Sequence, residues 1–212
     1  MLNEKGFDLW ANHYDKTVQL SEENNQYPFA GYKQILTVIY NEVMQQNQST
    51  ILDIGFGTGV LAAKLYEHHH EIIGIDFSRQ MISIAQSKMP DAQLLEWDIS
   101  KGLPAEVQSK AFDSIISTYA LHHVRDEEKV RVIKRLLPLL KEKGKILIGD
   151  VAFQSRQQLE ACRMDNIDVW DDDEFYFVVE ELKNMLKGVC TCEFHPVSHC
   201  GGVIELRKRG ND

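Results

Sequence analysis

Three glycines at alternate positions follow an acid in Leu52-Asp53-Ile54-Gly55-Phe56-Gly57-Thr58-Gly59. Residues 51–54 are an apolar run of strand length, and 58–69 read as a helix. A strand-to-helix turn of this kind lets backbone approach a ligand, because glycine tolerates positive φ and carries no Cβ. The following helix offers unpaired N–H groups and a positive dipole end, which suit a carboxylate or a phosphate. Asp53 adds an acceptor for an ammonium group. The order D-x-G-x-G-x-G differs from the G-x-G-x-x-G of dinucleotide folds and so disfavours a nicotinamide oxidoreductase. A side chain at Gly55 is expected to fill the ligand's space.

Two further acids stand at equivalent places. Asp76 closes Ile73-Gly74-Ile75-Asp76. An acid about 20 residues past a glycine turn accepts hydrogen bonds from ribose hydroxyls in open parallel sheets. The competing role for Asp76 is an N-cap for the helix starting near Ser78. Asp98 follows the third strand in Glu96-Trp97-Asp98-Ile99, where it can accept from an adenine amino group with Trp97 or Ile99 against the ring. Its competing role is that of a loop carboxylate in a turn. A ligand with a carboxylate, an ammonium, a ribose and an adenine is S-adenosylmethionine.

These residues must be positioned by an alternation of strands and helices. Strands are expected at 51–54, 72–75, 93–96, 112–117 and 145–149, with helices at 58–69, 78–88 and 127–141. Such alternation argues for a parallel sheet covered on both faces. Strands at 189–194 and 203–207 are joined by too few residues for a parallel crossover, so they should pair antiparallel. Upstream, Phe7, Trp10, Tyr14 and Val18 share one helix face, and Pro28 suits the start of a second helix carrying Phe29, Tyr32, Leu36, Ile39 and Val43. Residues 152–171 break the rhythm and read as helical. Asp171-Asp172-Asp173-Glu174 reads as the start of another helix, in preference to a cation site.

The segments LDIGFGTG, GIDFSRQM, LLEWDI and FDSIISTYALHHV resemble the class I methyltransferases over residues 49–149. The N-terminal F-x-x-W-A-x-x-Y-D and the late WDDDEFYFVVEEL and SHCGGVIEL resemble the YrrT-like methyltransferases of Firmicutes across nearly the whole chain. The resemblance implies a Rossmann-like, doubly wound α/β fold with a seven-stranded sheet, mostly parallel with one antiparallel strand near the C-terminus. It implies S-adenosylmethionine as cofactor and S-adenosylhomocysteine as product. Gly55, Asp76 and Asp98 would hold the cofactor, Asp53 and Gly57 would line its methionine end, and Thr118 and Tyr119 would pass beneath the sulfonium. Met81 and Ile99 would lie near adenine, and Tyr14 would close over the methionine moiety. Ser117-Thr118-Tyr119-Ala120 stands where base and amide N-methyltransferases often carry Asn-Pro-Pro-Tyr, which speaks against a nucleobase or glutamine acceptor.

Displacement at a sulfonium needs no enzyme nucleophile, and a base helps only if the acceptor must lose a proton. His122 and His123 follow the fourth strand and are the catalytic candidates. Net charge of -9 and the absence of a dense Lys/Arg cluster disfavour nucleic acid; a small-molecule acceptor is the expected partner, with a protein or RNA acceptor, or a non-catalytic adenosylmethionine-binding protein, as the alternatives. No apolar run suggests a membrane span. Four late cysteines suit a reduced, cytoplasmic chain. Cys190 and Cys192 should share one strand face rather than hold zinc, so no metal is expected. His68-His69-His70 reads as a solvated helix end. One domain is expected over 1–212: a helical cap (1–48), a cofactor core (49–150), an insertion and helix (151–188) and a strand pair (189–212).

Overall fold

A computed structural model describes residues 26–210 of the chain. The N-terminal helix face and Tyr14 lie outside the described residues. The strands are β1 (Thr50–Ile54), β2 (Glu71–Asp76), β3 (Gln93–Glu96), β4 (Phe112–Thr118), β5 (Leu140–Phe153), β6 (Phe177–Val178), β7 (Cys190–Pro196) and β8 (Gly201–Lys208). Seven lie in the order β3-β2-β1-β4-β5-β8-β7, with two-residue β6 added beside the end of β5. Strands β1 to β5 pair in parallel, and β8 runs antiparallel to both β5 and β7. This is the mostly parallel sheet with one reversed strand that the short connection at the C-terminal end required.

The strands are apolar on both sides, and their period of two divides them between two cores. Ile51, Ile72, Ile116, Leu147 and Val203 enter one core; their neighbours Leu52, Ile73, Ile115, Ile146 and Ile204 enter the other. The first is covered by α1 (Tyr32–Val43), α2 (Val60–Glu67) and α3 (Arg79–Lys88). The second is covered by α5 (Asp126–Leu136) and α7 (Val179–Met185); the short α4 (Ala105–Gln108) and α6 (Arg156–Asp165) complete the α-helices among the described residues. Cys190 and Cys192 face this second core together, and all four thiols are free. Among the described residues, no helix is long and apolar enough to cross a membrane.

Several local expectations are corrected. The helix assigned to Pro28 begins at Tyr32, after Gly31 at φ 77; Pro28 and Phe29 form a preceding turn. That helix packs on β4, β5, β8 and α2, and its first residue, Tyr32, lines the same cavity as the glycine turn. The helix expected over 127–141 stops at Leu136 because Pro138 cannot continue it, and Leu140 already begins β5. His68 and His69 are exposed, but His70 is buried, with its Nδ1 accepting from the Ser49 N–H at 3.0 Å. The acids 171–174 start no helix, which begins only at Val179. Loop contacts satisfy them instead: Asp172 pairs with Arg163 at 2.7 Å, and Asp171 accepts from the Asp173 N–H at 2.8 Å.

The seating of α1 is tight at one point. A Cβ on Gly149 of β5 would stand 2.4 Å from Ile35 and 2.8 Å from Ile39. Overpacking of this kind costs about 1–3 kcal/mol. Gly149→Ala is therefore expected to lower the Tm by roughly 2–10 °C, measured by circular dichroism. An unchanged Tm would show that α1 does not sit there.

Candidate active site

The order of the sheet reverses between β1 and β4, and helices cover both faces there. A crevice therefore opens beyond the C-terminal strand ends, where doubly wound sheets bind ligands. The cavity at this edge encloses about 780 Å³. Asp53, Gly55, Gly57, Asp76, Met81, Asp98, Ile99, Thr118, His122 and His123 all line it.

The glycine turn is built on left-handed backbone: Gly55, Gly57 and Gly59 have φ of 68, 56 and 75. Gly55 and Gly57 serve different needs. A Cβ at Gly55 would lie 2.3 Å from that of Ala120, so a side chain meets the neighbouring loop before any ligand. A Cβ at Gly57 would meet nothing within 4 Å, leaving space beside the turn. Asp76 is the strut: one carboxylate oxygen accepts from the Gly57 N–H and the other from the Ser78 N–H, both at 2.9 Å. Ser78, not Asp76, caps α3 through its hydroxyl. Asp98 does take the turn role, accepting from the Ser100 N–H at 2.9 Å and its hydroxyl at 2.7 Å while facing the cavity beside Ile99.

Asp53 sits where β1 ends, 1% exposed, and its Oδ1 has no hydrogen-bond partner among the described residues. Burial, and then the nearby Asp76 carboxylate, push its pKa up to about 8. A buried carboxylate without a partner is costly, and a cationic ligand group relieves that cost.

The opposite end of the cavity is aromatic and basic. Tyr119 follows β4 at φ 49, a left-handed conformation that costs a bulky residue about 1–3 kcal/mol. Its ring packs against Phe29 and Tyr32, with centroids 5.3 and 5.1 Å away. His122 and His123 follow in a single turn of 3-10 helix (Leu121–His123), their rings 4.1 Å apart. Buried His122 meets the fully buried Asp150 of β5, Nδ1 to Oδ1, at 2.6 Å. Burial opposes charge on His122, but Asp150 and Glu174 outweigh it and raise its pKa. Burial, then the neighbouring His122, push His123 down to about 3. Glu174 faces both rings, with Oε1 3.5 Å from His122 Nε2 and 3.7 Å from His123 Nδ1.

Residues 51–144 match the family model described as a methyltransferase domain. The chain is 33% identical to an uncharacterized methyltransferase of Anoxybacillus flavithermus, covering 96% of each protein. It is 34% identical to another from Alkaliphilus oremlandii, covering 84% of this chain and 78% of that one. The chain belongs to the class I S-adenosylmethionine-dependent methyltransferases. Solved structures agree in fold. The complex of DhpI with S-adenosylhomocysteine matches with a TM-score of 0.69 at 16% identity, over 99% of this chain and 96% of that one. A methyltransferase of Clostridium acetobutylicum also gives 0.69 at 16%, over 93% and 99%.

The cofactor of this methyltransferase is S-adenosylmethionine, and the site fits it. Its amino-acid end brings an ammonium for the unpartnered Asp53 oxygen and a carboxylate for the glycine turn. Two wall residues of the methyltransferase, Tyr32 and Glu174, and Asp150 behind His122 escaped the reading of its sequence. Asp150 lies within β5, one residue past the partner of Thr118 at the end of β4, so its position relative to the fourth strand could have pointed to it. Glu174 had no such signal, because a fold-back sets its place: the Phe175 N–H donates to the His122 carbonyl at 2.7 Å. Tyr32 was assigned to a helix stripe, yet its ring faces the cavity.

Pairing of Asp53 with the cofactor ammonium would give the methyltransferase a proton-linked binding step. Below about pH 8 its carboxyl is largely protonated, and pairing with an ammonium favours the ionised form. Binding of S-adenosylhomocysteine at pH 7 is expected to release up to one proton. Affinity should therefore tighten by up to about tenfold per pH unit on approaching pH 8. Calorimetry in buffers of different ionisation enthalpy measures the release, which Asp53→Asn should remove. Zero release in the unaltered protein would contradict the pairing.

Proposed function

We propose that the chain transfers the methyl group of S-adenosylmethionine to a small molecule held at the aromatic and basic end of the cavity. The observation that carries this reading is the enclosed space between the cofactor edge and the wall of Phe29, Tyr32, Tyr119, His122 and His123. A recess of this size suits a small acceptor beside the cofactor. Net charge of -9 offers no general attraction for nucleic acid.

In this reading Asp53, Gly55 and Gly57 hold the amino-acid end of the cofactor, and Asp76 receives the ribose hydroxyls. Met81, Asp98 and Ile99 surround the adenine, and Thr118 lies under the reacting centre. When bound, the cofactor supplies an already activated methyl group. The protein's work is to position the acceptor in line with it and to exclude water. His122 and His123 are assigned to activation of the acceptor. Free thiols on all four cysteines suit a reducing compartment, and we place the protein in the cytoplasm.

The test uses methyl-labelled S-adenosylmethionine with fractionated bacterial extract. Label is expected in the ultrafiltrable fraction, and His122→Asn should slow its appearance about 100-fold or more while leaving S-adenosylhomocysteine binding within about twofold. Label retained on protein or RNA would overturn the small-molecule reading. Tight S-adenosylhomocysteine binding with no transfer to any fraction would make the protein a binder rather than an enzyme.

A further inference from the structure

We propose that His122, His123 and Glu174 form a divalent transition-metal site at the acceptor end of the cavity. The inference rests on the functional reading above and deepens it by giving the activation of the acceptor to a metal ion. His122 Nε2, His123 Nδ1 and a Glu174 carboxylate oxygen lie within 4.8 Å of one another. The Glu174 oxygen stands 3.5 and 3.7 Å from the two imidazole nitrogens. Those separations exceed a good hydrogen bond. They approach the roughly 3.0–3.5 Å between neighbouring donors around an ion bonded at about 2.0–2.2 Å.

The donors are also held as metal ligands are held. Through Nδ1, His122 engages Asp150 at 2.6 Å, so a neutral ring presents the bare lone pair of Nε2 to the cavity. A carboxylate backing a histidine in this way is the usual outer support of a metal-bound imidazole. The other oxygen of Glu174 accepts from the Tyr176 hydroxyl at 2.6 Å, which sets the carboxylate's angle. The adjoining residue is tied on both sides: the Phe175 N–H bonds to the His122 carbonyl, and the buried Lys129 ammonium donates to the Phe175 carbonyl. With both rings neutral, two imidazole nitrogens and a carboxylate oxygen face one point, where a cation can take the place of a proton. Two nitrogens and one oxygen favour Mn²⁺, Fe²⁺, Co²⁺ or Zn²⁺ over the all-oxygen preference of Mg²⁺ and Ca²⁺. Three protein ligands leave open positions, and the cavity beside them admits an oxygen-bearing acceptor such as a hydroxyl or carboxylate compound.

Untagged protein, stripped with a chelator and dialysed, is titrated with Co²⁺ alone and followed by visible absorption. The expected result is a d–d band saturating at one ion per chain, with no sulfur-to-cobalt charge transfer in the near ultraviolet. Glu174→Gln and His123→Asn should each abolish the band while still binding S-adenosylhomocysteine within about twofold of the unaltered chain, which shows that they fold. No saturable band, a band that survives both substitutions, or a thiolate signature would overturn the site. Cofactor binding and label transfer are read separately. Transfer that persists in stripped protein lacking the band defeats this inference alone, and metal binding without transfer to a small molecule defeats only the functional reading.

Discussion

One carboxylate holds the cofactor end together. Asp76 accepts from the Gly57 N–H with one oxygen and from the Ser78 N–H with the other, so the turn after β1 and the start of α3 are fixed to a single group. The donors are backbone amides, so substituting their side chains cannot remove these bonds. Around this strut the three glycines keep their left-handed backbone, and Asp53 lies buried behind them. The strut has an electrostatic cost, because its charge adds to the burial that disfavours ionised Asp53. An ammonium-bearing ligand offsets that cost, so the turn is built to want a cation.

The cofactor half was legible because every determinant is local. Asp53 and Asp76 lie at the C-terminal ends of β1 and β2, Gly55 and Gly57 follow β1, and Asp98 and Ile99 follow β3; a parallel sheet delivers consecutive strand ends to one edge. Thr118, His122 and His123 follow β4 by the same rule. Met81 came from the family resemblance, one helical turn into α3. The exact use of each residue was less visible. A side chain at Gly55 would already collide with Ala120, and packing between two loops leaves no trace in the motif.

The acceptor half was legible only in part, because it is assembled from distant segments. Acids 171–174 carry the composition of a helix start, yet Arg163 on α6 and a local backbone turn satisfy them. Hydrophobic periodicity reports which face of an element is buried, not where an irregular segment folds back. Glu174 reaches the histidines through backbone bonds that any residue type could make at Phe175. Likewise, His70 looked like part of a solvated run, but its ring accepts a hydrogen bond from Ser49 at the entrance to β1.

The bond between the Phe175 amide and the His122 carbonyl has a consequence for divergence. It fastens the segment between α6 and β6 to the cavity through main-chain atoms. Side chains on that segment can therefore be exchanged without unfastening it, and none of them forms the cofactor cradle. The chemistry of the acceptor end can therefore change through side chains near 167–174 while the main-chain fastening and the Asp76 strut remain. The fold thus separates a turn held by the Asp76 carboxylate from a strap pinned in part by its own main chain.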